Sequence, residues 1–224
     1  MTTDDTTSPA QQPAGDENLV PAWLALLVLI LIIAVVGVGG FVVRGMMTGR
    51  PTNSTKQADI EQWTKAVDAA PDDATARLNL AYAYQQDTQY DRALAEYDKV
   101  LAQEPKDTAA LYNKGVILMI TGEAKKGEAA LWAVLKIDSG HALAAKELGE
   151  YYAAKGQFKS LIVAVRPVVE AKPTLADLQY LMGLAYEKTG KPDWAKERYD
   201  LALKYSPDMQ EAIDGLRRLG EVAK

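Results

Sequence analysis

Few side chains in this sequence are of a type that makes or breaks bonds. His141 is the one imidazole, and cysteine is absent. A single His cannot form a His pair around a metal. Without thiols there is no disulfide, thiolate zinc site, iron–sulfur cluster or Cys nucleophile. Asp72 and Asp73 are adjacent acids ahead of a helix-like run, where they suit the positive end of a helix dipole better than an acid–base dyad. Gly122 and Gly127 lack the Lys-Ser/Thr pair of a phosphate-binding loop. Lys125, Lys126 and Glu128 read as a solvated helix face, and His141 as a cap or exposed turn residue. These residues imply no catalysis, no cofactor, no metal and no small-molecule substrate.

The elements that carry these residues are more informative. The 224 residues include 25 basic and 30 acidic side chains, a net charge of −5. Nucleic acid is thereby excluded as a partner, because phosphate binding requires clustered Lys and Arg. Residues 1–18 hold Asp4, Asp5, Asp16 and Glu17 among Thr, Pro and Gln, with no basic residue. Such a stretch has little apolar surface to offset the entropy of ordering, and it reads as a disordered acidic tail.

Leu19–Val43 then runs 25 residues without a charge. As a helix, at about 1.5 Å per residue, it exceeds the roughly 30 Å hydrocarbon core, so residues 19–43 are expected to form a single transmembrane helix. Pro21 suits its first turn, Trp23 the headgroup level, and Arg44 ends it. The rival reading, a cleaved signal peptide, would need a basic leader and a shorter apolar stretch; only Gly37, Gly39 and Gly40 favour it. No GxxxG spacing marks a dimerising face. Residues 44–56 form a Gly/Thr/Pro linker with Arg44, Arg50 and Lys56. The excess of basic residues after the span places the remaining chain on the cytoplasmic side of a cell membrane, the alternative being extracytoplasmic.

Beyond the linker, apolar residues recur at three- and four-residue steps with no strand-like alternation, which gives an all-α region. It is periodic. Pro71, Pro105, Pro173 and Pro207 fall at multiples of 34 residues, with Ser139 in the vacant slot. Ala81, Gly115, Gly149 and Gly183 share the period, as do Tyr84, Leu118, Tyr152 and Tyr186. Gly122, Gly156 and Gly190 mark a turn in each unit, with Thr88 in the first. Trp63, Tyr97, Leu131, Val165 and Tyr199 form a further series, and Ala66, Val100, Val134, Val168 and Ala202 another. Each unit is a helix hairpin that cannot bury its apolar face alone, so neighbours must stack.

AYAYQQDTQYDRALAEYDKVLAQEP and GLAYEKTGKPDWAKERYDLALKYSP carry a small residue and an aromatic on the first helix, Gly or Thr at the turn, and Ala, aromatic and Ala on the second, then Pro. On these residues the chain resembles the tetratricopeptide repeat (TPR) family over 57–222. The resemblance implies a right-handed superhelix of stacked antiparallel hairpins. A half repeat at 57–73 precedes repeats at 74–107, 108–141, 142–175 and 176–209, and a capping helix at 210–222 follows. Departures concentrate in the third repeat. Leu161 replaces a small residue, and Pro167 lies inside the second helix, where a kink or break around Val165–Pro167 is expected.

The resemblance also implies a binding surface. The first helix of each repeat lines a concave face, with Leu78, Tyr82 and Gln85, then Tyr112, Val116 and Met119, then Lys146, Glu150 and Ala153, and finally Tyr180, Leu184 and Glu187. In one reading these side chains are partly buried between helices. In the other they form a groove for a protein or peptide partner. The clamp that some TPR domains use for acidic chaperone tails is absent, since Leu78, Tyr82, Tyr112 and Val116 occupy its positions. A Tyr-rich surface interrupted by Lys146 and Glu150 suits an amphipathic helix or extended apolar peptide, with affinity only weakly dependent on salt. The expected function is a membrane-anchored interaction scaffold. The alternatives are an assembly or maturation factor holding client polypeptides, as in the cytochrome c biogenesis group, and a structural subunit of a membrane complex.

Overall fold

The protein is described by a computed structural model over residues 52–220. The expected acidic tail at 1–18 and transmembrane helix at 19–43 lie outside the described residues, as does most of the 44–56 linker. No helix among the described residues is long and apolar enough to cross a membrane.

The described chain is all helix and turn. In order it forms α1 (Thr52–Ala69), α2 (Ala74–Gln86), α3 (Tyr90–Gln103), α4 (Thr108–Ile120), α5 (Ala124–Ile137), α6 (Ala142–Ala154), α7 (Phe158–Ala171), α8 (Ala176–Lys188), α9 (Pro192–Tyr205) and α10 (Gln210–Arg218). Helix α1 begins inside the stretch read as linker. The pairs α2–α3, α4–α5, α6–α7 and α8–α9 are the hairpins. Each stacks on the next, with α1 against α2 and α10 against α9. The result is an all-α TPR-like superhelix of stacked helix pairs.

The sequence shows why helices begin and end where they do. Pro71, Pro105, Pro173 and Pro207 each follow the last helical residue by two positions, where they bar further extension. Asp73 accepts from the backbone N–H of Thr75 and Ala76 at 2.9 and 3.0 Å, and Asp107 from Ala110 at 2.6 Å. His141 stands in the same phase and caps α6, its Nδ1 accepting from Ala144 at 3.2 Å. The lone imidazole is therefore a cap, as is the second of the paired aspartates. Gly122, Gly156 and Gly190 turn the chain at positive φ. Thr88 does the same at φ +59°, the one non-glycine to do so among the described residues.

Packing follows the 34-residue series. Tyr97, Leu131, Val165 and Tyr199 are fully buried, each worth about 1.5–3 kcal/mol in transfer from water. They press on the small residues of the facing helices. A Cβ added to Gly115 would come within 3.0 Å of Leu131, one at Gly149 within 3.0 Å of Val165, and one at Gly183 within 2.6 Å of Tyr199. Helix α7 corrects one half of an expectation, that of a break. It runs unbroken from Phe158 to Ala171 with Pro167 inside it. Pro167 is exposed, and so is Val163, whose carbonyl loses its N–H partner. That turn faces water, which can hydrate the freed carbonyl.

A candidate binding groove on the even-numbered helices

Among the even-numbered helices α2 touches α4, α6 touches α8 and α8 touches α10, whereas odd-numbered helices touch one another less. The even-numbered helices therefore converge on the inner side of the stack. The small-residue series fixes one face of each against its partner; beside that stripe, Tyr112 reaches His141 at the start of α6 and Lys146 reaches Asp177 of α8, while Met119 lies against Gly127 of α5.

All twelve positions singled out in the sequence, Ala153 and Glu187 included, remain at least partly exposed. Tyr82 is 50% exposed and Glu150 is also exposed, while Leu78, Gln85, Tyr112, Val116, Met119, Lys146, Tyr180 and Leu184 are half-buried. Several also serve the fold. The Tyr97 hydroxyl donates to the side-chain oxygen of Gln85 at 2.7 Å. Tyr112 lies 5.5 Å from the His141 ring, and Tyr180 lies 6.1 Å from Tyr199. Burial, with the neighbouring Glu147, raises the Tyr112 hydroxyl above its ordinary value, and burial does the same for Tyr180. The Glu147 carboxyl is held above the usual carboxylate range by burial and by the charge of Glu150.

One cleft of about 270 Å³ brings Lys146, Glu150 and Tyr180 together with Asp177, Leu181, Met209 and Glu211. Lys146 donates to Asp177 at 2.5 Å and lies 3.9 Å from Glu150. The hydrogen bond to Asp177 raises the ammonium pKa. A second hollow of about 340 Å³, on the other side of this ion pair, is lined by Leu143, Leu175 and Leu178.

Asp177, Glu211 and Leu143 did not emerge from the sequence as groove residues. The signal was present: Thr75, Ala109, Leu143, Asp177 and Glu211 occupy one phase of the repeat, a helical turn before Leu78, Tyr112, Lys146 and Tyr180. All five are exposed. Glu187 plays a different part from its neighbours. It accepts from Tyr199 at 2.7 Å and from Arg218 at 2.9 and 2.8 Å, so the capping helix occupies it. The Arg218 bonds hold its carboxyl down to about 2. Arg218 is thus a docking contact of the capping helix.

Among the described residues no group of three or more His, Cys, Asp or Glu side chains could hold a metal ion. Residues 81–142 and 176–209 match two family models, each described as tetratricopeptide repeat. These two segments are thus similar to tetratricopeptide repeats, and the stacked helix pairs that contain them form a TPR-type protein–protein interaction scaffold. Among solved structures it is similar to MamA, at 22% identity and a TM-score of 0.62, covering 71% of this chain and 94% of that one. A TPR protein from Parabacteroides merdae aligns at 15% identity and a TM-score of 0.61, covering 75% and 69%. The C-terminal part of a TPR-containing protein from Cytophaga hutchinsonii aligns at 19% and 0.63, covering 75% and 66%. At these identities the likeness carries the fold. No curated protein matches the sequence significantly.

Proposed function

We propose that this protein is a membrane-anchored scaffold that holds a partner polypeptide along the inner face of its TPR domain. The observation that carries the reading is the series of partly exposed side chains on the even-numbered helices. Its Tyr, Leu, Val and Met side chains offer apolar contact area, and no convergent acid–base or nucleophilic set interrupts them. The 25-residue uncharged run at 19–43 supports the anchor. The basic residues that follow it support a cytoplasmic placement of the repeats.

Purification of the full chain in mild detergent tests the reading. A polypeptide should co-purify from wild type and be lost with Tyr112→Ala or Tyr180→Ala, while both variants keep their helical content. One stoichiometric partner would assign the protein to a membrane complex as a subunit, and many substoichiometric clients would assign it a maturation role. Unchanged capture by both variants, with loss on changing the outer helices, would move the site to the convex face. Full chain recovered without detergent and shortened near Gly39 or Gly40 would replace the anchor with a cleaved leader. Protease added to intact spheroplasts should spare the repeats; digestion would reverse the orientation.

A further inference from the structure

The chemistry of the groove changes along its length. In the first two repeats the stripe reads Thr75, Leu78, Tyr82 and Gln85, then Ala109, Tyr112, Val116 and Met119, with no charge. From the third repeat it carries Lys146, Glu150, Asp177 and Glu211, and these four line one cleft around Tyr180 and Met209. Three carboxylates stand there against one ammonium, and that ammonium is engaged by Asp177 and Glu150. Glu187 adds nothing to the balance, because Arg218 pairs with it. The raised pKa of Glu147, which owes part of its shift to Glu150, agrees with a local excess of negative charge.

Building on the groove reading above, we propose that the occupant is a bipartite polypeptide segment, apolar over the half that lies on α2 and α4 and basic over the half that lies on α6, α8 and α10. Charge complementarity carries this. An acidic segment would place like charges against Glu150, Asp177 and Glu211. A wholly apolar one would desolvate Glu211, which has no cation at bonding distance among the described residues, and Glu150, which shares Lys146 with Asp177, without compensation. Lys or Arg side chains reaching Glu150 and Glu211 would relieve both, their aliphatic stems lying over Tyr180 and Met209. The polarity of the groove also fixes the direction in which the segment lies. The weak salt dependence expected from the sequence then holds for the first half of the groove only.

The test is an immobilised array of 12-residue peptides, each with a constant Leu/Ile/Val half and a variable half bearing three Lys, three Ser or three Glu. It is probed with the full chain in non-ionic detergent. The Lys peptides should bind about tenfold better than the Ser peptides, and the Glu peptides least, with the difference shrinking in high salt. Glu150→Lys combined with Glu211→Lys should invert the order. Equal, Tyr112-dependent binding of all three sets would overturn the charge assignment and leave the groove intact. Binding that ignores both Tyr112→Ala and Tyr180→Ala would overturn the groove itself.

Discussion

Arg218 of the last helix closes two hydrogen bonds on Glu187 of α8, at 2.9 and 2.8 Å, while the Tyr199 hydroxyl reaches the same carboxylate at 2.7 Å. The final helix is thus pinned to the last hairpin by a charged group as well as by Ala212 and Leu216, which it buries. The Tyr199 ring lies so close to both helices that a Cβ at Gly183 or Gly215 would come within 2.6 or 2.5 Å of it. One aromatic ring therefore sets the spacing of three helices.

The pinning carries a pH signature. The folded Glu187 carboxyl is held to about 2, below its ordinary 4.5, chiefly by the Arg218 bonds. A depressed acid contributes stability that is full above the unfolded value and is lost as pH falls through the folded one. Glu187→Gln should therefore melt below wild type by about 1–2 kcal/mol near neutrality. The gap should narrow between pH 4.5 and 2, as thermal unfolding at several pH values would reveal. A gap constant to pH 2 would remove Glu187 as its source.

Thr88 carries a β-branched side chain at φ +59°, where the other three repeats have Gly. The left-handed region costs such a residue about 1–2 kcal/mol, and the added chain entropy of Gly returns about 0.5–1. Thr88→Gly should raise stability by roughly 0.5–1 kcal/mol, seen as a melting temperature a few degrees higher. A lower melting temperature would mean that the 2.7 Å bond from its hydroxyl to the Asp87 carbonyl matters more than the backbone strain.

Pro167 sits in a continuous α7 on the water-facing side. An interior Pro costs about 3 kcal/mol in the general case, and hydration of the Val163 carbonyl offsets part of it. Pro167→Ala should raise stability by about 1–2 kcal/mol in urea unfolding, with the slope unchanged. A loss would show that the repeat is shaped around the ring.

How much of this was legible in the sequence varies with the kind of information. A small residue paired with a large one every 34 residues has a single structural solution, and the packing of Gly115 on Leu131 and of Gly183 on Tyr199 followed from it. The caps at Asp73 and His141 were readable because cap chemistry is local. The course of α7 was not, because the cost of Pro167 depends on whether its turn faces water or core. The acidic part of the groove was missed for a geometric reason: Asp177 and Glu211 reach the cleft from the first turns of α8 and α10, outside the positions the family resemblance supplied.

The central claim is that the partner lies along the even-numbered helices, and position-specific photocrosslinking in native membranes tests it most directly. A photoreactive phenylalanine derivative is placed in the full chain at Tyr82, Tyr112 or Tyr180, and separately at Val163 or Trp194 on the odd-numbered helices. All three inner positions should crosslink to the same polypeptide, and the outer two should not. Crosslinks from Val163 and Trp194, with none from the three tyrosine positions, would contradict the account.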